Sequence, residues 1–328
     1  MLRHRNEYPV EGTIPRFDGA TAWLNSPPLT PEDLSGRVVL ADFGTYTCIN
    51  WIRSLPYVRA WARKYADKGL VVVGIQTPEF EFEGELDNVE RALKELDVRY
   101  PVVVDNHYAV WEAFDNHYWP ALYLADAQGQ IRHHHFGEGE YEESEMVLQM
   151  LLRAAGADVD QGLVDIEPEG VEAAADWAGV GSGENYVGYG RAYGFASPGG
   201  AVPDERHVYS APAQLGRNQW ALSGAWMIGL VPARLDESGG SVSYRFHARD
   251  LHLVMGPPLR RGPVRFRVHL DGEPPGPARG VDVDEGGNGT ADYQRMYQLI
   301  RQPGPIVDRL FEIEFLDPGV EAFVFTFG

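Results

Sequence analysis

About halfway along this 328-residue chain the spacing of apolar residues changes. Before residue 160, short apolar runs alternate with stretches in which apolar residues recur every three or four positions. After residue 175 the recurrence is every second position. A helix and a strand bury different subsets of the same residues, so one repeating architecture cannot satisfy both patterns. Two domains are therefore expected, an α/β domain and then an all-β domain, and the length suits two. Turn-forming residues divide the same way: residues 1–175 hold 13 of the 37 glycines and 10 of the 23 prolines, and the shorter remainder holds 24 and 13. The expected boundaries are 1–160, a connector at 161–175, and 176–328.

In the first part, residues 38–43 and Leu70–Gln76 are near-continuous apolar runs, as in strands buried on both faces. Asp87 is expected to open a helix with Val89, Leu93 and Leu96 on one face and Glu90 as its capping acid. Residues 101–105, 121–126 and Gln130–Phe136 read as strands, the last two joined by an Asp-Ala-Gln-Gly turn. A helix over 141–155 places Val147, Met150, Leu151 and Ala154 on one side and ends at Gly156. This order implies a mixed sheet with helices on its faces. In the second part Val242, Tyr244 and Phe246 alternate, as do Val264, Phe266, Val268 and Leu270, Phe311, Ile313 and Phe315, and Phe323, Phe325 and Phe327. Arg265, Arg267 and His269 take the opposite face, the pattern of an antiparallel sandwich.

Charge and cysteine content narrow the function. The net charge is −20, with 14 basic and 30 acidic residues before position 176 and 14 and 18 after it. Phosphate binding needs clustered Lys and Arg, so a general nucleic-acid or anionic-membrane binder is excluded. No apolar run approaches the ~20 residues of a membrane helix. The start, MLRHRNEYPVEG, lacks the apolar stretch of a secretory leader, so a cytoplasmic location is expected. Cys48 is the one cysteine; no disulfide within the chain and no Cys-based zinc site can form.

Cys48 follows the strand at 38–43 and precedes a helix over 49–65, with Ile52, Leu55, Val58, Ala62 and Tyr65 on one side. At a helix N-terminus the dipole and unpaired N–H groups stabilise a thiolate, the form that acts as nucleophile. A buried structural cysteine is the alternative. Asp42 lies six residues before Cys48, Pro56 lies eight after it within the helix, and Trp119-Pro120 opens a later strand.

This combination resembles the thioredoxin superfamily, and the strand–helix pair between Gln76 and Trp119 resembles the insertion of its TlpA and redoxin-like branch. The segments LADFGTYTCINW (40–51), GIQTPEFEFE (74–83), DNHYAVW (105–111), NHYWPA (116–121) and FGEGEY (136–141) are similar to the soluble C-terminal half of DipZ-type thiol oxidoreductases. So are NYVGYGRAY (185–193), ALSGAW (221–226) and the terminal FTFG. The resemblance implies a cis Pro120 facing the sulfur of Cys48, Asp42 under the sheet end as a proton acceptor, and a jelly-roll domain likened to carbohydrate-binding modules. Two departures matter. The electron-delivering membrane part of that family is not found here, and Cys-x-x-Cys is replaced by Cys48-Ile-Asn-Trp51.

Three readings of the site follow. In the favoured one, Cys48 forms mixed disulfides with a protein or small thiol, and an external thiol resolves them, because Trp51 cannot. In the second, the chain is a non-catalytic thioredoxin-like binding or scaffold module, with a groove beside Pro120 flanked by Tyr46, Trp51 and Trp119. In the third it is a one-cysteine thiol peroxidase, with Thr45 of the Thr-x-x-Cys match on the thiolate and Arg53 on the peroxide, although Ala41 stands where that motif has proline. No cofactor or metal is expected. His133, His134 and His135 alternate faces along a strand and read as solvated. Glu79, Glu81 and Glu83 read as a solvated loop. Tyr186, Tyr189, Tyr193, Trp220 and Trp226 read as core residues, and carbohydrate binding rests on the resemblance alone. Oligomeric state is left open.

Overall fold

The computed structural model describes residues 8–328; residues 1–7, over which the absence of a leader was read, lie outside the described residues. The chain forms two compact units that divide between Ala173 and Ala174.

In the first unit the apolar runs become β3 (Val38–Gly44) and β4 (Leu70–Gln76) at the centre of a sheet. Around them lie β1 (Gly12–Thr13), β2 (Ala22–Leu24), β5 (Val102–Val104), β6 (Ala121–Ala125) and β7 (Gln130–Phe136). The strand order is β1-β7-β6-β3-β4-β5-β2, with β3, β4 and β5 parallel and the other pairings antiparallel. The edge strands β1 and β2 had no sequence signal, since two or three residues are too few to show alternation. The helices are α1 (Pro31–Leu34), α2 (Ile49–Lys64), α3 (Leu86–Glu95), α4 (Ala109–Ala113) and α5 (Tyr141–Ala154). Val39, Ala41 and Phe43 of β3 join one core with Val73, Ile75, Val103, Trp111 and Tyr123. Alternation turns Val38, Leu40 and Asp42 to the other face.

Several local expectations change. Glu85, not Asp87, precedes α3, and it makes no side-chain cap, so the Asp87–Glu90 capping pair does not form. Helix α5 buries Ser144, Glu145, Val147, Leu148, Leu151 and Leu152, while Ala154 is exposed and Met150 half-buried. The β6–β7 turn forms as read: Gly129 N–H donates to Asp126 O at 2.8 Å, with Gly129 at φ 75°. His133 is buried against Ser144 Oγ at 3.3 Å, which corrects its reading as solvated; His134 reaches Glu11 and His135 reaches Glu140. Burial outweighs the nearby carboxylates and lowers the His133 pKa. Within the expected connector, the Glu145 carboxylate accepts the Val164 N–H, and Glu172 pairs with Arg59 at 2.7 Å, so these residues pack on α5 and α2.

The second unit carries eleven strands. They are β8 (Asn185–Tyr186), β9 (Arg206–Tyr209), β10 (Trp220–Ile228), β11 (Ala233–Leu235), β12 (Gly240–Phe246), β13 (Asp250–Gly256), β14 (Val264–Leu270), β15 (Asn288–Ala291), β16 (Arg295–Arg301), β17 (Arg309–Phe315) and β18 (Glu321–Phe327). They follow one hydrogen-bonded path, β15-β14-β17-β12-β10-β11-β18-β13-β16, with β8 beside β18 and β9 beside β10. Strand β10 changes partners midway: Trp220–Ser223 pair with β12, and Gly224–Ile228 pair with β9 and β11. The corner is Gly224, at φ 93°, where a Cβ would press on Gly240. The two arms face each other across the core, with ring centroids 5.0 Å apart for Tyr244–Phe325 and 6.1 Å for Phe311–Phe325. The alternating residues named from the sequence all join that core except Phe323, which is buried outside it, and Arg265 and Arg267 are exposed. Strand β18 departs from alternation, burying Ala322, Val324 and Thr326 as well. Of the five aromatics weighed for sugar stacking, Tyr186, Trp220 and Trp226 are buried, whereas Tyr189 and Tyr193 are exposed.

Candidate thiol site

Strand β3 ends at Gly44, and the chain crosses three residues before α2 begins. Cys48 is the N-cap of α2, with extended backbone, and its carbonyl accepts the first helical bond from Ile52 N–H at 3.0 Å. The N–H groups of the first turn lie beside it. Cys48 is half-buried, and its S–H contacts the Trp119 carbonyl at 3.9 Å. Trp119-Pro120 is cis, as the resemblance implied. Trp119 remains half-exposed, its indole N–H donating to Thr77 O at 3.1 Å and its ring against Trp111.

The other residues expected around the sulfur have partners of their own. Trp51 is only 4% exposed and does not flank a groove. Its indole lies over Gly44, where any Cβ would overlap it, and donates to Asp42 Oδ2 at 3.1 Å. Tyr46 is also buried, its hydroxyl 3.5 Å from Phe82 O. The Thr45 hydroxyl accepts from Gln76 Nε2 at 2.9 Å. Arg53 is buried and lies 3.6 Å from Glu138.

Two buried carboxyls underlie the site. Asp42 is almost completely enclosed, and the same Oδ2 accepts the Tyr100 hydroxyl at 3.3 Å. Tyr100 lies over Gly74, which pairs with Asp42 across the sheet. Both donors therefore cross a glycine. Burial raises the Asp42 pKa to about 6, and the Trp51 and Tyr100 hydrogen bonds oppose that rise. Asp42 also lines a small cavity with Ser54, Pro120, His135, Tyr141 and Ser144. The second carboxyl, Glu83, is fully buried and accepts the Thr47 hydroxyl and the N–H groups of Glu79 and Phe80. Burial pushes its pKa up to about 7 against those bonds. This corrects the reading of residues 79–83 as solvated: Phe80, Phe82 and Glu83 are buried, and Glu81 is exposed. Alternation of Phe80 and Phe82 was the available signal. For Tyr100 the signal was Gly74, a missing side chain inside an apolar strand.

A parallel β–α–β core with an antiparallel hairpin, a thiol at the N-cap after β3 and a cis-proline whose preceding carbonyl meets that thiol define a thioredoxin-type fold. Residues 182–328 match the family described as Thioredoxin like C-terminal domain. Protein DipZ of Mycobacterium tuberculosis is 37% identical over 268 residues, which are 80% of this chain and 37% of that protein. The chain thus spans a little over a third of the length of that relative. Thiol-disulfide oxidoreductase YkuV of Bacillus subtilis is 34% identical over 125 residues, 38% of this chain and 83% of that protein. The solution structure of a thioredoxin-like protein in the oxidized form is 30% identical, covering 44% of this chain and 97% of that one, with a TM-score of 0.41. The chain belongs to the thioredoxin-like family of thiol-disulfide oxidoreductases. Among the described residues no helix is long and apolar enough to cross a membrane.

Proposed function

We propose that this chain is a monothiol redox protein in which Cys48 exchanges with disulfides of a protein or small thiol. The Cys48 thiolate attacks one sulfur of a substrate disulfide. That S–S bond breaks, a Cys48–substrate disulfide forms, and the departing thiolate takes a proton from solvent. An external thiol, losing its proton to solvent, then attacks the substrate sulfur and releases Cys48 as thiolate, leaving a disulfide between substrate and external thiol. The observation that carries this reading is the half-buried Cys48 at the N-cap of α2, its sulfur against the carbonyl that precedes Pro120. The positive end of the helix dipole favours negative charge there. Trp51 occupies the position of a second thiol and is committed to Asp42. Resolution must therefore come from outside the chain.

The test is incubation with bis(2-hydroxyethyl) disulfide followed by intact-mass measurement. One adduct on Cys48 is expected, removed by added thiol and absent in Cys48→Ser. Folded protein reacting no faster than the urea-unfolded chain refutes the reading. The inward turn of Trp51 favours one alternative, a binding module without exchange chemistry, and that module gives no adduct. With Thr45 on Gln76 and Arg53 beside Glu138, no observation favours the peroxidase reading.

A further inference from the structure

The loop after β4 contains a carboxyl that thiol exchange does not itself require. One oxygen of Glu83 accepts the Thr47 hydroxyl, and the other accepts the N–H groups of Glu79 and Phe80 at 2.6 and 2.8 Å. Thr47 immediately precedes Cys48. The same loop reaches the opposite side of the sulfur, because Thr77 O accepts the indole N–H of Trp119 at 3.1 Å. Its Pro78 carbonyl accepts the Tyr108 hydroxyl, which joins it to the start of α4. One loop thus holds both the residue before the thiol and the residue whose carbonyl the thiol faces. Enclosing a carboxyl costs free energy that an apolar side chain in the same space would not incur. In return, its acceptor atoms fix a hydroxyl and two amides that sheet and helix leave unpaired.

We propose that Glu83 is a positioning residue for Cys48, acting through Thr47 to set the thiol against the Trp119 carbonyl. The proposal rests on reading Cys48 as a reactive thiol. It also makes the thiol's placement depend on the charge of Glu83. As a carboxylate, Glu83 can only accept, so the Thr47 hydroxyl must donate to it. As a neutral acid, Glu83 carries one proton to donate, and the Thr47 hydroxyl can turn to receive it. The titratable groups acting with it are Glu79 on its own loop and Tyr108 at the start of α4, and Asp105 after β5 acts on the same Tyr108. Thr45 adds a further hydroxyl to the carboxyl. Burial holds the Glu83 pKa at about 7, so both charge states are populated near neutrality.

The experiment measures alkylation of Cys48 by iodoacetamide from about pH 5.5 to about pH 8.5, with each rate divided by the thiolate fraction read from ultraviolet absorbance. In the parent protein the corrected rate is expected to change by about threefold or more in a step centred near pH 7, since small displacements of a reacting atom carry large rate effects. Glu83→Gln is expected to remove the step while retaining a cooperative melt. Thr47→Val is expected to remove it without altering any charge, and Thr47→Ser to restore it. If Glu83→Gln does not fold, the Thr47 pair decides. A parent profile without the step, or a step that survives in Glu83→Gln or Thr47→Val, overturns the proposal. Because alkylation needs no disulfide partner, a failure of mixed-disulfide formation alone would count against the exchange reading and not against this one.

Discussion

Replacing Asp42 by Asn should stabilise the first unit at neutral pH and leave it unchanged in acid. In the unfolded chain this carboxyl ionises near 3.8, and in the folded protein burial holds it at about 6. Between those values the unfolded chain releases a proton that the folded chain keeps. Asp42 therefore favours folding fully below pH 3.8, and this contribution is lost as pH rises through 6. The loss is about 3 kcal/mol, taking 1.36 kcal/mol for each tenfold change in proton affinity. Asn is nearly isosteric, and its oxygen can take both the Trp51 and Tyr100 donors, which already share Oδ2. Its amide nitrogen can turn toward the cavity beside Ser54 and His135, and incomplete hydrogen bonding there offsets up to about 1 kcal/mol. The expected gain at pH 7.5 is about 2–3 kcal/mol. Amide exchange in β3 and β4 peptides, under conditions where they exchange through global opening of this unit, should then slow about 30- to 150-fold relative to the parent. Comparing variant with parent at each pH cancels the intrinsic pH dependence of exchange and the contribution of Glu83. At about pH 4 the two proteins should agree within about 1 kcal/mol. A difference of equal size at both pH values would refute the assignment of the effect to the buried charge.

Two further substitutions probe the same packing. Gly44→Ala sets a methyl against the Trp51 indole and should cost about 1–3 kcal/mol in chemical denaturation; a loss below about 0.5 kcal/mol would show that the indole has room to move. Trp51→Cys should form a disulfide between positions 48 and 51 and gain insulin-reducing activity absent from the parent. In its reduced form it should lose about 3–5 kcal/mol with the buried indole, and failure to form the internal disulfide would show that position 51 does not face the Cys48 sulfur.

Much of this protein was legible along the chain because the relevant patterns are local. The strands at 38–44 and 70–76 are runs of neighbours, the Asp126–Gly129 turn lies within four residues, and the strand-to-helix junction marks Cys48 as an N-cap. The all-β character of the second part follows from period-two sets such as Phe311, Ile313 and Phe315, which need no partner to be recognised. Trp51 was legible as standing where the resembled family has its second thiol.

What Trp51 does instead was decided only when the sheet assembled. Its N–H finds Asp42 because Gly44 leaves the space, and Tyr100 reaches the same oxygen from 58 residues away across Gly74. Glu83 meets Thr47 across 36 residues, through a loop whose charges made it look solvated. His133 shows the same limit, being polar by type yet enclosed by α5. Composition and periodicity report the average tendency of a side chain toward water. The environment of one carboxyl or imidazole depends on which distant atoms close over it, and those contacts exist only in the folded chain. The sequence alone therefore pointed to two domains and to Cys48 at a helix N-terminus, and the tertiary structure decided which distant groups lie around it.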